Sequence, residues 1–160
     1  MESECHHPDG AHPGLRGAAL QRALEGAETR CEAHQERLTA PRRRVLQLLL
    51  EANAPLKAYD LIATYGGTGA PAKPPTVYRA LEFLERQGFA HRIESLNAYV
   101  PCRLAPEPHS AAFLICDCCG EAAEFEPDLG AQLAAAEATG YAVRAITIEA
   151  RGLCAACRAA

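Results

Sequence analysis

The first ninety residues carry apolar positions at helical spacing, interrupted by turn residues. This pattern predicts a helix from about Gly17 to Leu38 and a second one that begins after Thr39, a residue type suited to an N-cap. It predicts a short third helix at 58–65, followed by a Gly/Pro loop. The segment PTVYRALEFLERQG predicts a fourth helix from Pro75 to the stop signal Gly88.

Beyond Gly88 the apolar spacing changes from helical to alternating. The segment GFAHRIESLNAYVPC predicts a two-stranded hairpin, with Ile93 and Val100 on either side of a turn near Asn97. Helices followed by a hairpin are typical of a winged helix-turn-helix.

The last third predicts a small α/β unit, with strands at 111–116, 122–125 and 141–150 and an Ala-rich helix at 129–139. The segment LAPEPHS contains two prolines and fits neither pattern, so it predicts a hinge. We therefore expect an α+β protein in four parts: a His/Cys-containing tail at 1–16 that is disordered, a winged-helix domain at 17–103, the hinge at 104–110, and the small α/β unit at 111–160.

Composition favours a cytoplasmic globular protein that makes no membrane contact. Hydrophobic residues make up 49% of the chain, yet no stretch approaches the ~18 apolar residues of a membrane span, and no export signal is present. The net charge of −4 argues against nucleic acid as a partner. However, residues 37–103 hold ten Lys/Arg against five Asp/Glu, so a basic segment lies between acidic flanks.

Two CxxC pairs indicate a structural metal site. Cys116 with Cys119 and Cys154 with Cys157 provide four thiolates, the donor set of a closed tetrahedral zinc site. Gly120 follows the first pair, where the chain must turn back. Two disulfides or unrelated buried thiols are the alternative, but a reducing cytosol disfavours disulfides. Such a site holds a fold together, so the function must lie elsewhere.

His91 and Cys102 lie on opposite arms of the predicted hairpin. If the arms pair symmetrically about Leu96 and Asn97, the two residues face each other, with Cβ atoms about 4.5 to 5.5 Å apart. An imidazole and a thiolate at that distance can bind one metal ion. Together with His109 in the hinge and Glu124 beyond the first CxxC pair, they form a second candidate set of N, S and O ligands.

Candidate DNA contacts lie in the second and fourth predicted helices. Three successive arginines in the first turn of the second helix oppose the helix dipole, which phosphate anions would relieve, although a solvated cluster is the alternative. Tyr78 and Arg79 lie where a recognition helix meets base edges, although either could be a packing or interface residue. The full candidate set is Arg42, Arg43, Arg44, Lys73, Thr76, Tyr78 and Arg79.

Six segments resemble those of the ferric uptake regulator family, and most closely its zinc-responsive branch: LTAPRRRVL, AYDLI, KPPTVYRALEFLERQG, FAHRIESLNAYVPC, FLICDCCG and EARGLCAAC. The resemblance covers roughly residues 28–158. It implies a homodimeric, metal-dependent transcriptional repressor that binds a double-stranded DNA operator of zinc-uptake genes. By the same resemblance, 17–103 is the winged-helix DNA-binding domain and 111–160 is the α/β dimerisation and zinc-binding domain.

The resemblance also implies at least two zinc ions per protomer. The structural ion falls on Cys116, Cys119, Cys154 and Cys157, and the regulatory ion on His91, Cys102, His109 and Glu124. The family's iron, manganese and peroxide sensors use mainly nitrogen and oxygen ligands at the regulatory site. A thiolate there favours zinc, with a sensor of another metal as the alternative.

Two other classes of function stay open from the residues alone. A thiol oxidoreductase or a zinc hydrolase would be an enzyme, but a catalytic zinc keeps one coordination position open whereas four ligands are present here. A zinc storage or delivery protein is suggested only by the tail, which holds Cys5, His6, His7 and His12. We therefore expect a regulator and not an enzyme.

Overall fold

The computed structural model of the protein describes residues 14–67, 72–103, 111–143 and 146–159. Four helices and a three-stranded antiparallel sheet, ordered β1-β3-β2, form its first part. In chain order the elements of this part are α1 (Gly17–Ala33), α2 (Ala40–Glu51), β1 (Leu56–Lys57), α3 (Ala58–Thr64), α4 (Pro74–Arg86), β2 (Ala90–Ile93) and β3 (Ala98–Pro101).

A second three-stranded sheet forms the other part, in the order β5-β4-β6. Strand β4 pairs antiparallel with β5 and parallel with β6. The elements of this part are β4 (Ala112–Cys116), β5 (Ala122–Phe125), α5 (Gly130–Ala138), β6 (Ile148–Gly152) and α6 (Ala155–Ala159). The α+β fold class and the winged helix-turn-helix expected from the sequence are therefore both present.

The larger core lies where α2 and α4 pack against α1, α3 and the first sheet. Val45, Leu49, Leu61, Val77 and Leu84 are fully buried there. The buried residues of α2 and α4 recur at three- and four-residue spacing, which is why the apolar pattern predicted those helices correctly. The core fixes α4 with its opposite face directed to solvent.

A smaller core joins the hairpin to the second sheet. Ile93 of β2 is buried with Phe113 and Ile115 of β4, and the partly buried Leu96 and Val100 pack against them. The β2–β3 hairpin, which we call the wing, thus packs directly on the second sheet.

Four elements differ from the sequence predictions. Helix α1 ends at Ala33 rather than Leu38, because the Glu36 N–H bonds the Cys31 carbonyl at 2.8 Å and Gln35 has φ 57°, which closes the helix. Strand β6 begins at Ile148 rather than at 141. Strand β1 and helix α6, which were not predicted, have two and five residues, too few to give a periodic signal.

The predicted hinge at 104–110 and most of the predicted tail lie outside the described residues. The proposed domain boundaries stay predictions. Among the residues that the structure does describe, no helix is long and apolar enough to cross a membrane.

Candidate metal centres and nucleic-acid interface

The four cysteines of the CxxC pairs come together at one end of the second sheet. Cys116 ends β4, Cys119 lies in the turn after it, and Cys154 and Cys157 lie at the start of α6 and within it. Their sulfur atoms all lie within 4.8 Å of one another. The parallel pairing of β4 with β6 brings the two pairs together, because it places Gly152 beside Cys116.

The turn between β4 and β5 follows from local hydrogen bonds. The Gly120 N–H donates to the Cys116 carbonyl at 3.0 Å, and Gly120 has φ 74°, a conformation that glycine adopts without strain. The Cys154 N–H donates to the Cys116 sulfur at 3.3 Å. Sulfur atoms of this cluster therefore already accept backbone hydrogen bonds, as expected of a zinc knuckle.

The donor set and spacing of this cluster fit zinc. Cys119 and Cys154 sulfurs are 3.9 Å apart, and tetrahedral zinc with bonds of about 2.3 Å requires sulfurs about 3.8 Å apart. Hydrogen bonds from the backbone of Cys119 and Cys154 lower the pKa of Cys116 to about 6. Burial and the neighbouring thiols raise the pKa of Cys157, as expected when four thiols lie close together. Cys118 is exposed and lies outside the cluster.

A second cluster lies between the wing and the second sheet. His91 from β2, Cys102 just after β3 and Glu124 from β5 bring one ligand atom each within 4.8 Å of one another. The His91 Nε2 lies 3.0 Å from the Glu124 Oε1, and the side chains are only 13% and 4% exposed. We call these three residues the mixed cluster, since they supply nitrogen, sulfur and oxygen.

The predicted pairing of His91 with Cys102 was wrong by two residues. His91 pairs with Val100, and the Cys102 N–H donates to the Phe89 carbonyl at 3.0 Å. The cause is the turn at 94–97, which Asn97 closes with φ 47° and an N–H bond to the Glu94 carbonyl. Because a shift of two residues preserves the face of a strand, His91 and Cys102 still meet diagonally.

The environment of His91 favours a bound cation. Burial alone would lower the pKa of His91, but hydrogen bonds with Cys102 and Glu124 outweigh it and raise the pKa to about 9. Two groups that can be anionic thus hold a proton on the imidazole, and a metal ion could replace that proton. The soft sulfur and the imidazole fit zinc better than a hard cation.

A backbone group that sequence reasoning missed also meets this cluster. The Arg103 N–H donates to the Glu124 Oε2 at 3.0 Å. Every residue type except proline offers such a donor, so no sequence signal could have singled it out. His109, the fourth ligand expected from the resemblance, lies outside the described residues, as do Cys5, His6, His7 and His12 of the tail.

The outer face of α4 carries exposed candidates for DNA contact. Tyr78 is 53% exposed and Arg79 is exposed, while Val77 and Ala80 beside them are buried. Lys73 is exposed at the N-cap of α4, and Thr76 is half-buried in the first turn. The structure places all four at the same end of this helix.

The three arginines of α2 have intramolecular partners and are half-buried. Arg42 donates to the Arg37 carbonyl and lies 3.5 Å from the Phe83 ring centroid. Arg43 pairs with Glu28 at 2.7 Å, and Arg44 donates to the Tyr65 carbonyl at 3.0 Å. Arg43 therefore has a carboxylate partner, whereas Arg42 and Arg44 bond neutral carbonyl groups, and phosphate contact by the three arginines stays a prediction.

The fold and the two clusters define a winged-helix protein with two candidate metal centres. Residues 33–151 match the model of the ferric uptake regulator family. The chain is 46% identical over 148 residues to the zinc uptake regulation proteins of Escherichia coli (strain K12) and Shigella flexneri, covering 89% of this chain and 85% of each relative.

Solved structures agree with the sequence comparison. A zinc uptake regulator complexed with zinc and DNA matches with a TM-score of 0.82 at 43% identity, covering 89% of this chain and 97% of that one. The crystal structure of holo XcZur matches with a TM-score of 0.79 at 45% identity, covering 86% and 97%. The chain belongs to the ferric uptake regulator family, as the resemblance in its sequence indicated.

Proposed function

We propose that this protein is a zinc-responsive transcriptional repressor that binds operator DNA of zinc-uptake genes as a homodimer. The observation that carries this proposal is the mixed cluster, which draws its ligands from the wing and from the second sheet. The names of its relatives support the same function, since they are zinc uptake regulation proteins and one structure is a complex with zinc and DNA. DNA binding implies a cytoplasmic location, where thiols remain reduced.

The residues of the mixed cluster act by holding two parts of the molecule in one arrangement. His91 is fixed to the first sheet through β2, and Glu124 to the second through β5. Zinc bound there would supply a positive charge shared by the imidazole, the thiolate and the carboxylate. His109 is the proposed fourth ligand. With the wing fixed, α4 takes a defined direction relative to the second sheet.

We propose a separate, structural role for the four-cysteine cluster. It joins the end of β4 to α6 within the second part of the molecule. None of the hydrogen bonds given for the described residues links these cysteines to the wing. We infer one zinc ion in each cluster, hence at least two per protomer. The choice of zinc over another metal rests on the thiol of Cys102 in the mixed cluster.

We assign dimerisation to 111–160 and DNA binding to 17–103, with 104–110 as the hinge. Leu114 and Leu153, 51% and 54% exposed, lie on the side of the second sheet away from the wing and give a partner subunit an apolar surface. A dimer places two α4 helices to meet successive major grooves of a pseudo-palindromic operator.

Tyr78 and Arg79 are the proposed base contacts, and Lys73, Thr76 and the three α2 arginines the proposed backbone contacts. Arg79→Ala should cost about 1 to 3 kcal/mol on the operator and weaken the preference for it over mutated sites. Arg86→Ala is the matched control, because Arg86 is exposed at the opposite end of the same helix. Equal sequence preference in the two variants would remove Arg79 from the proposed base contacts.

The α2 arginines require a separate measurement, since they have internal partners. If Arg43 contacts a phosphate, Arg43→Ala should lower the slope of log affinity against log salt by about one unit. An unchanged slope would limit Arg43 to its ion pair with Glu28.

The function itself is tested by titrating zinc into the zinc-depleted dimer and measuring its affinity for upstream regions of zinc-transport genes. We expect specific binding only with zinc, and weaker or no response to iron and manganese. A response to another metal alone would indicate a different sensor within the family. Zinc binding without any specific DNA binding would favour storage or delivery.

A further inference from the structure

Three residues form a row across the second sheet and face the wing. Phe113 of β4 pairs with Glu124 on one side and with Glu149 of β6 on the other. Directly paired residues share a face of a sheet. Phe113 is buried on that face, whereas its neighbour Leu114 is 51% exposed on the opposite one.

The wing lies along this row from one carboxylate to the other. At one end His91 contacts Glu124. In the middle Ile93 packs with Phe113, whose ring centroid is 6.0 Å from that of His91. At the other end the tip of the wing meets Glu149.

Glu149 binds the wing tip through backbone amides. The Glu94 N–H donates to the Glu149 Oε1 at 2.7 Å, and the Ser95 N–H lies 3.2 Å from Oε2. Both amides lie at the start of the turn, where they cannot join the β2–β3 ladder, which ends at Ile93. Hydrogen bonds from Ser95 lower the pKa of the Glu149 carboxyl, so it is ionised at neutral pH.

We propose that Glu149 is a positioning residue that anchors the wing tip to the second sheet without metal, so that the mixed cluster has only to fix the opposite end of the wing. A carboxylate that accepts two backbone N–H groups makes charge-assisted bonds, which are stronger than neutral ones. The expected effect of Glu149 on the zinc response rests on the proposed function, whereas the contact between Glu149 and the wing tip does not.

Closure of the wing and zinc binding are linked equilibria, so loss of the Glu149 contact should change the apparent zinc affinity. If the anchor raises the fraction of molecules with the wing closed before zinc binds, its loss raises the apparent dissociation constant for zinc by the same factor. Two charge-assisted bonds at an exposed site correspond to about a threefold to thirtyfold change. Saturating zinc should restore the closed arrangement, and with it the operator affinity.

The test compares Glu149→Gln with Glu126→Gln, which removes the same charge from an exposed position just after β5. In zinc-free protein, hydrogen exchange of the Glu94 and Ser95 amides should accelerate at least threefold in Glu149→Gln alone. The zinc concentration for half-maximal operator binding should rise about threefold to thirtyfold, with wild-type affinity at saturating zinc. Glu149→Ala should give an equal or larger shift.

Unchanged exchange at Glu94 and Ser95 in both Glu149 variants would overturn the inference, and so would an unchanged zinc midpoint. Faster exchange throughout β4 and β6, with lower operator affinity at saturating zinc, would also overturn it by showing a general loss of fold. If the wild-type protein showed no zinc-dependent DNA binding, the proposed function would fail, while the exchange measurement would still decide whether Glu149 anchors the wing.

Discussion

The four-cysteine cluster and the mixed cluster differ in what they join. The cysteines lie in neighbouring segments at one end of a single sheet, at the ends of β4 and β6 and in the turn and helix that follow them. The mixed cluster takes His91 and Glu124 from two different sheets. The first arrangement can stabilise a fold, whereas the second can change how two parts of the molecule are held. The same metal can thus have a structural role in one cluster and a regulatory role in the other.

The largest effect is expected from breaking the four-cysteine cluster. Cys154→Ser removes one of four thiolates, and structural zinc contributes folding free energy directly, on the order of 10 kcal/mol in small zinc domains. We expect loss of one zinc per protomer, loss of cooperative unfolding of the second sheet and loss of the dimer. Metal analysis and calorimetry measure this. A folded, dimeric Cys154→Ser with full zinc content would contradict the structural assignment.

Breaking the mixed cluster should leave the fold intact and abolish only the zinc dependence of operator binding. Cys102→Ser replaces a soft thiolate by a hydroxyl that binds zinc poorly. We expect a folded dimer that retains the four-cysteine zinc but shows little zinc-dependent operator binding, at least a tenfold loss at zinc concentrations that saturate the wild type. Fluorescence anisotropy with labelled operator checks this. Wild-type zinc response in this variant would remove Cys102 from the regulatory site.

A change of pH should have a smaller, graded effect on the zinc affinity of the mixed cluster. In zinc-free protein the pKa of His91 is raised to about 9, so zinc must displace a proton from the imidazole at neutral pH. The apparent affinity of this site for zinc should therefore rise with pH up to about 9, by about one log unit per pH unit for each proton displaced. Competition with a chelator of known affinity measures this slope. Equal affinity at pH 7 and pH 8.5 would show that His91 binds no zinc.

Local spacing made the four-cysteine cluster predictable from the sequence. Two CxxC pairs, the first followed by Gly120, specify the ligands without any knowledge of strand order. The helices around the larger core were equally predictable, because Val45, Leu49, Val77 and Leu84 follow helical spacing.

The mixed cluster was only partly predictable, because it depends on pairing between distant segments. His91 and Cys102 were correctly placed on one face of the hairpin, but the register was wrong by two residues because a four-residue turn at 94–97 shifts the pairing. Glu124 was proposed from its position beyond the first CxxC pair and from the family resemblance, and no local spacing links it to the hairpin. The contacts of Glu149 and of the α2 arginines could not be predicted, since they depend on tertiary packing and backbone donors.

A single titration can show whether one cluster is structural and the other regulatory. Zinc is added to the zinc-free, reduced wild-type protein while bound zinc per protomer and operator affinity are measured on the same samples. We expect the first equivalent of zinc to bind without specific DNA binding, and specific binding to appear as the second equivalent binds. Full operator affinity at one zinc per protomer, held by the four cysteines alone, would contradict this expectation.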